Sequence, residues 1–512
     1  MQELNGIRLV FLLLPPKLMK PIQILLFLLL VLLALSGFHL IVPNDFTILG
    51  FPVKVFYPEE FVLSKKTKAI KEKTKLNLQN LQFETERLIK SDSIIENEFS
   101  SNKTVDTNIG RPLPDLVFHI DSSSGIQYPA GDTSILFPFF AELDSLTYKK
   151  KLIRVLHFGD SQIEGDRVSG YIRQRLQQRF GGCGPGLLPF YEESRSRFSI
   201  EIKAKNPIDK YIIYGKPVPL GHRNYSVLHS IFRLSQDSLY NQQLTKNSLS
   251  FSLNSGGFKR ANFYEKATIM LRNSKSKVVL SLNFDEKENI QKEINQNDSL
   301  RIIDFNTLTK KKKLNLFIES DLRNDFYGVC LDCNSGVAVD NIPLRGSSGL
   351  ELLKINPTFL QEQIKRLGVR LVILQFGINV VPYEANSFSW YESSLTKVIQ
   401  TIKKSRPGIQ VLVVGVSDMA KRNNGFWESY ESINSIRLAQ KNAAERTNSA
   451  FWDLYEVMGG ANSIQAWANS NPALAGKDYI HFTPKGAQII GEFLFQALQK
   501  EKNKMNRNEK NI

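Results

Sequence analysis

The sequence predicts a flavodoxin-like, doubly wound α/β domain, a parallel sheet covered by helices on both faces, with an all-β sandwich inserted into it. Three observations carry this reading. Five short apolar runs have the continuous, β-branched character of strands buried on both faces. Helical stretches alternate with them at 166–180, 387–404, 428–446 and 484–500. Between Gly186 and Gly336 lie about 150 residues of a different, period-two character, where a parallel crossover needs only a dozen or so.

The chain opens on an apolar run. Residues 22–42, "IQILLFLLLVLLALSGFHLIV", carry no formal charge and match the roughly 20 residues needed to cross a bilayer. Lys17 and Lys20 precede them and favour a cytoplasmic N-terminal end. Residues 1–43 are therefore expected to be a cytoplasmic end plus an inner-membrane anchor, or a cleaved signal segment starting at Met19 with "ALS" before Gly37. Either way the rest of the chain is expected in the cell envelope, on the periplasmic side, anchored or secreted. Residues 44–135, polar with scattered apolar positions, read as a stalk or linker.

The charge is consistent with that placement. The net +16, from 66 basic and 50 acidic residues, suits anionic envelope polymers and membrane surfaces as well as nucleic acid. Export disfavours nucleic acid. Part of the excess sits in solvated runs such as "TKKKKLN" and a basic tail at 504–512.

A short amphipathic helix in "LFPFFAELDSLTYKKK" leads into the first strand, 152–158. The other strands are "GVAVDNI" from Gly336, "RLVILQF" from Arg370, "IQVLVVGV" from Ile409 and "SAFWDL" from Ser449. Within the long connection, "FSIEIKAK", "LSFSLN", "KVVLSLNF" and "KLNLFIES" alternate apolar with polar residues between Asn, Ser, Gly and Lys turns, the pattern of a sandwich or jelly roll. The α/β domain is thus expected at 136–194 and 329–503, with the sandwich at 195–328. Three cysteines remain. Cys330 and Cys333 form a lone C-x-x-C, which reads as a structural disulfide or two reduced core thiols rather than half of a zinc site.

The first strand ends in Gly159, Asp160 and Ser161. Ligands of such sheets bind beyond the carboxyl ends of the strands, so a serine there is placed for chemistry. Gly159 is expected to permit a tight bend, and Asp160 to support the turn. A serine nucleophile needs a base, usually an oriented histidine. Of the six histidines, His157 reads as a packed strand residue, and His481 in "KDYIHFTPKG" remains. Asp478 lies three residues before it, on the same side of a single turn. Thr483 and Pro484 mark a helix start just afterwards. Asn379 in "FGIN" and Gly346 in "IPLRG" follow two further strands and are candidate oxyanion donors.

Taken in order, "FGDSQ", "NIPLRG", "GIN" and "DYIH" resemble the four motif blocks of the SGNH (GDSL-type) esterase family. The resemblance implies that Ser161 is the nucleophile, His481 the base and Asp478 its orienting acid. It implies an oxyanion hole from the Ser161 and Gly346 N–H groups and the Asn379 side chain. The inserted β region is similar to that of exported peptidoglycan O-acetylesterases. The implied substrate is an acetylated glycan such as peptidoglycan, with no cofactor and no metal. An O-acetyltransferase would use the same residues, and a non-catalytic glycan-binding protein is the reading from a different class.

Overall fold

The computed structural model describes residues 45–48, 51–54 and 125–510, apart from 193–196, 216–219, 236–244, 256, 321–323, 384 and 424. Residues 22–42 and most of the expected stalk lie outside the described residues. Among those described, no helix is long and apolar enough to cross a membrane. One compact unit, Met1–Glu72, holds a short antiparallel pair, Asp45–Ile48 with Phe51–Lys54. The other, Lys73–Ile512, contains everything that follows.

Its central sheet has six strands: β1 (Ile126–Gln127), β2 (Leu152–Gly159), β3 (Gly336–Pro343), β4 (Val369–Gln375), β5 (Gln410–Val414) and β6 (Ala450–Trp452). Their spatial order is β3-β2-β4-β5-β6-β1. The first five run parallel and β1 joins antiparallel to β6. Counting only the parallel strands, the order is 2-1-3-4-5, which reverses direction between β2 and β4. Strand β1 falls inside the span expected to be stalk, so the domain begins about ten residues earlier than the sequence indicated.

The β-branched runs form strands because both faces of the sheet are covered. Ile153 and Val155 point into one core with Phe139, Ile172, Ile490 and Leu494. These last four belong to the helices α1 (Phe137–Asp144), α2 (Ser169–Phe180) and α6 (Pro484–Lys510). Leu156 and Phe158 point into the opposite core with Leu360, Ile364, Val398 and Ala443. Those come from α3 (Pro357–Arg366), α4 (Ser389–Ser405) and α5 (Ser432–Arg446). Helix α3 was not foreseen, although Asn356 caps it by accepting from Thr358 and Phe359 N–H, and Pro357 opens it. Helix α6 continues through Lys510, so the basic residues from 504 extend a helix and are not a separate tail.

The long connection folds into two antiparallel sheets. One has the order Glu288–Ile294, Val278–Phe284, Lys313–Ser320, Thr245–Leu253, Ile200–Ala204. The other has Asn297–Lys311, Tyr264–Asn273, Asp325–Asp332, Ser230–Leu234, Ile208–Ile212. Their alternating apolar residues, Leu280, Leu282, Leu314, Leu316, Ile269 and Leu271 among them, make a separate core. The second sheet reaches past the expected 195–328 boundaries at both ends. Asp325–Asp332 also pairs with Gly186–Leu188, so the segments entering and leaving the insertion lie side by side.

The cysteines pair differently from the sequence reading. Cys333 bonds to Cys183, with Cα atoms 5.0 Å apart, and Cys330 is a free, buried thiol. Three residues along extended chain span about 10 Å, too far for a Cys330–Cys333 bridge. The bond closes a loop of 150 residues across the neck of the insertion. Thiol titration of the unfolded, oxidised protein is expected to find one free cysteine, and three after reduction. Replacing Cys183 and Cys333 by Ala should lower stability by about 2–5 kcal/mol in denaturant unfolding. Three reactive thiols before reduction would contradict the pairing.

Candidate active site

Strand β2 delivers Ser161 to the carboxyl edge of the sheet, at the point where the strand order reverses. The chain leaves the strand through Asp160 into a short 3₁₀ segment, Ser161–Asp166. Asp160 caps this turn by accepting from Gln162 N–H at 3.0 Å. It is fully buried, and burial pushes its carboxyl up to about 7 against hydrogen bonds from the amides of Gln162, Ile378 and Gly377. Asp160 therefore links the serine turn to the turn after β4. Gly159 serves by its size and not by a left-handed bend. A Cβ there would meet the Gln375 carbonyl and the Ile163 side chain, each at 2.9 Å.

The base arrives from the far end of the chain. Ser161 Oγ lies 2.8 Å from His481 Nε2. His481 Nδ1 lies 2.7 Å from Asp478 Oδ2. A neutral imidazole in this chain donates from Nδ1 to the carboxylate and accepts from the serine hydroxyl at Nε2. The three-residue spacing works because the backbone turns sharply. Tyr479 adopts φ +54°, and its N–H donates to the Gly476 carbonyl. Asp478 Oδ1 then accepts from the Ile480 and His481 amides, both at 3.1 Å. Partial burial acts to raise the Asp478 pKa, but the hydrogen bonds from His481 and these amides outweigh it and hold the carboxyl below its usual range. Both side chains stay open to solvent, 37% exposed for His481 and 46% for Asp478.

The candidate oxyanion donors come from the loops after β3 and β4. Gly346 has φ +78°, a conformation that favours glycine, and a Cβ added there would meet nothing within 4 Å. The open space beside it leaves room for a ligand. Its loop is tied to the serine turn by the Arg345–Glu164 ion pair and by Leu344 N–H donating to Gly159 O at 2.8 Å. Asn379 Nδ2 donates one hydrogen to Ser347 O at 2.9 Å, which leaves its second hydrogen for another acceptor. The structure thus joins Ser161, His481 and Asp478 by direct hydrogen bonds. It connects Gly346 and Asn379 to each other through Ser347.

Other candidates resolve into packing roles. His157 is buried between Gln375 and Ser169, and burial lowers its pKa to about 4. Asn341, in the second motif, donates to Ile163 O and to Ser169 Oγ, bracing the serine turn from below. Sequence reasoning missed Gln162 and Arg167, whose polar groups also meet the histidine loop. Gln162 is next to Ser161 and Arg167 is six residues after that serine, and neither spacing marks a role before the histidine loop folds over them.

Comparison with known proteins agrees with this architecture. Residues 320–489 match the family model described as GDSL-like lipase/acylhydrolase. The match starts after most of the insertion, so Ser161 lies outside it. Among solved structures, the chain is similar to one titled "Peptidoglycan O-acetylesterase in action, 5 min", with TM-score 0.59 and 18% identity over 73% of this chain and 99% of that one. Two others are a family two carbohydrate esterase from Cellvibrio japonicus (TM-score 0.24, 9% identity, 60% of this chain and 98% of that one) and the acetyl xylan esterase AlAXEase (0.25, 17%, 31% and 81%). No curated protein matches the sequence. The parallel sheet and its family match define a carboxylic ester hydrolase. More particularly, residues 320–489 carry a GDSL-like lipase/acylhydrolase domain.

Asn379→Ala is expected to lower kcat on a small acetyl ester by about 10²–10³-fold through loss of an oxyanion donor, with the melting temperature little changed. A loss below threefold would remove Asn379 from the site.

Proposed function

We propose that this protein removes O-acetyl groups from an envelope polysaccharide such as peptidoglycan, through an acyl-enzyme on Ser161. The observation that carries the reading is the continuous hydrogen-bonded chain Ser161–His481–Asp478 at the carboxyl edge of the sheet. Ser161 Oγ attacks the acetyl carbonyl as its proton passes to His481 Nε2. Asp478 holds the imidazole tautomer and stabilises the imidazolium. The developing oxyanion is received by the Ser161 and Gly346 N–H groups and by the second hydrogen of Asn379 Nδ2. Collapse expels the sugar alkoxide, which takes the proton back from His481. Water, deprotonated by His481, then attacks the acyl carbonyl; the bond to Ser161 Oγ breaks, the oxygen takes the proton back from His481, and acetate leaves.

The exposure of His481 and Asp478 favours water over a sugar hydroxyl as the acyl acceptor, hence hydrolysis over O-acetyl transfer. The fold shared with a peptidoglycan O-acetylesterase makes that acetylated glycan the first substrate to test. We further propose a periplasmic location, with residues 22–42 in the inner membrane or removed as a signal. A disulfide across the insertion neck is in keeping with an oxidising compartment.

The test is acetate release from O-acetylated peptidoglycan, with and without added acceptor glycan. The wild type should release acetate, added acceptor should leave the yield unchanged, and Ser161→Ala should be inert while folded. Release by Ser161→Ala at the wild-type rate would refute the nucleophile. Acetate diverted quantitatively onto the acceptor would make the protein a transferase.

A further inference from the structure

The serine and the histidine come from segments 320 residues apart, and a single side-chain hydrogen bond joins them directly. A bond of that kind does not by itself fix where an imidazole sits. Misplacement by about 1 Å can cost on the order of 10²-fold in rate. Something has to hold the histidine loop against the serine turn.

Gln162, the residue after the nucleophile, is buried, and its amide meets the backbone on both sides of His481. Gln162 Nε2 donates to the Ile480 carbonyl at 2.7 Å. Gln162 Oε1 accepts from the Phe482 N–H at 3.2 Å. The same Nε2 donates to Ser417 Oγ at 3.2 Å, in the loop after β5. One planar group thus satisfies a donor and an acceptor that bracket the histidine.

Arg167 closes the other side. Its Nη2 donates to the Ser161 carbonyl and its Nη1 to the Phe482 carbonyl, both at 2.8 Å. Its Nε donates to the Glu164 carbonyl at 2.8 Å, which fixes the guanidinium plane. The backbone of Ser161 and the backbone of Phe482 are therefore held by one rigid fork.

We propose that Gln162 and Arg167 are positioning residues that clasp the His481 loop to the Ser161 turn and so set the nucleophile–base geometry. Neither touches the reacting atoms. The inference rests on the assignment of Ser161 and His481 as nucleophile and base. It goes beyond that assignment by identifying what holds the pair in register. Both oxygen and nitrogen of the Gln162 amide are needed, because the two flanking backbone groups differ in kind. Lysine cannot replace Arg167, since a single ammonium does not present two parallel N–H groups to two carbonyls.

The experiment compares Gln162→Met, Gln162→Glu and Arg167→Lys with wild type on p-nitrophenyl acetate, using the whole protein. Ser161→Ala serves as the control for the underlying assignment. Gln162→Met keeps the shape of the side chain and loses its hydrogen bonds. It should lower kcat by about 10–100-fold while KM stays within about twofold, and it should slow labelling of Ser161 by a fluorophosphonate in proportion. Gln162→Glu keeps the acceptor for Phe482 N–H but faces the Ile480 carbonyl with a carboxylate, which regains a donor only when protonated. Its activity relative to wild type should therefore fall as pH rises through the titration of that carboxyl. A role confined to stability would lower the melting temperature without this pH signature. Folded Gln162→Met with kcat within threefold of wild type, or a Gln162→Glu ratio flat with pH, would overturn the clasp. If Ser161→Ala were active, the assignment beneath it would fail instead.

Discussion

The parallel pairing of β2 with β4 is the constraint from which the site follows. These strands are separated by more than 200 residues, yet Gly159 stands opposite Gln375. That register brings the turns beyond the two strands together, so the buried Asp160 carboxylate can take amides from Gly377 and Ile378. The close approach leaves no room for a side chain at position 159. The strand order reverses here, the point at which ligands of such sheets bind. Ser161 follows β2 and Asn379 follows β4. Every further element of the site is added to this frame by hydrogen bonds.

The inserted sheets depend on the same frame. Arg154, on β2, is buried and forms ion pairs with Asp340 on β3 at 2.6 Å and with Asp332, at the end of the insertion, at 2.5 Å. Asp340 also accepts from Leu187 N–H at 2.8 Å, on the strand that leads into the insertion. One charged cluster therefore joins the parallel sheet to both ends of the inserted domain. Removing one partner of such a buried pair typically costs about 3–5 kcal/mol, because a charge is left without compensation. The Cys183–Cys333 bond closes the same neck. Together they close the neck of a long excursion that interrupts the chain between β2 and β3, directly after the helix that follows Ser161.

Much of this was legible in the sequence, for physical reasons that differ from residue to residue. The core strands announced themselves because burial on both faces demands unbroken apolar runs such as "LVIL" and "VLVV". Ser161, Asn379 and His481 were legible because each follows a strand or precedes a helix cap. Helix α3 was missed, although "NPTF" carries a cap and a first-turn proline. The partner of Cys333 was not legible, since it depends on how the two ends of the insertion meet in space. The same holds for Gln162. An amide beside a serine has no recognisable role until a loop 320 residues away folds over it.

The central claim is that Ser161 is made nucleophilic by His481. The most direct measurement is mass spectrometry of the protein quenched in acid during turnover of an acetyl ester. The account predicts an added acetyl group on the peptide containing Ser161 in the wild type, and none at that peptide in His481→Ala. An adduct on any other residue, or one that accumulates equally without His481, would contradict it.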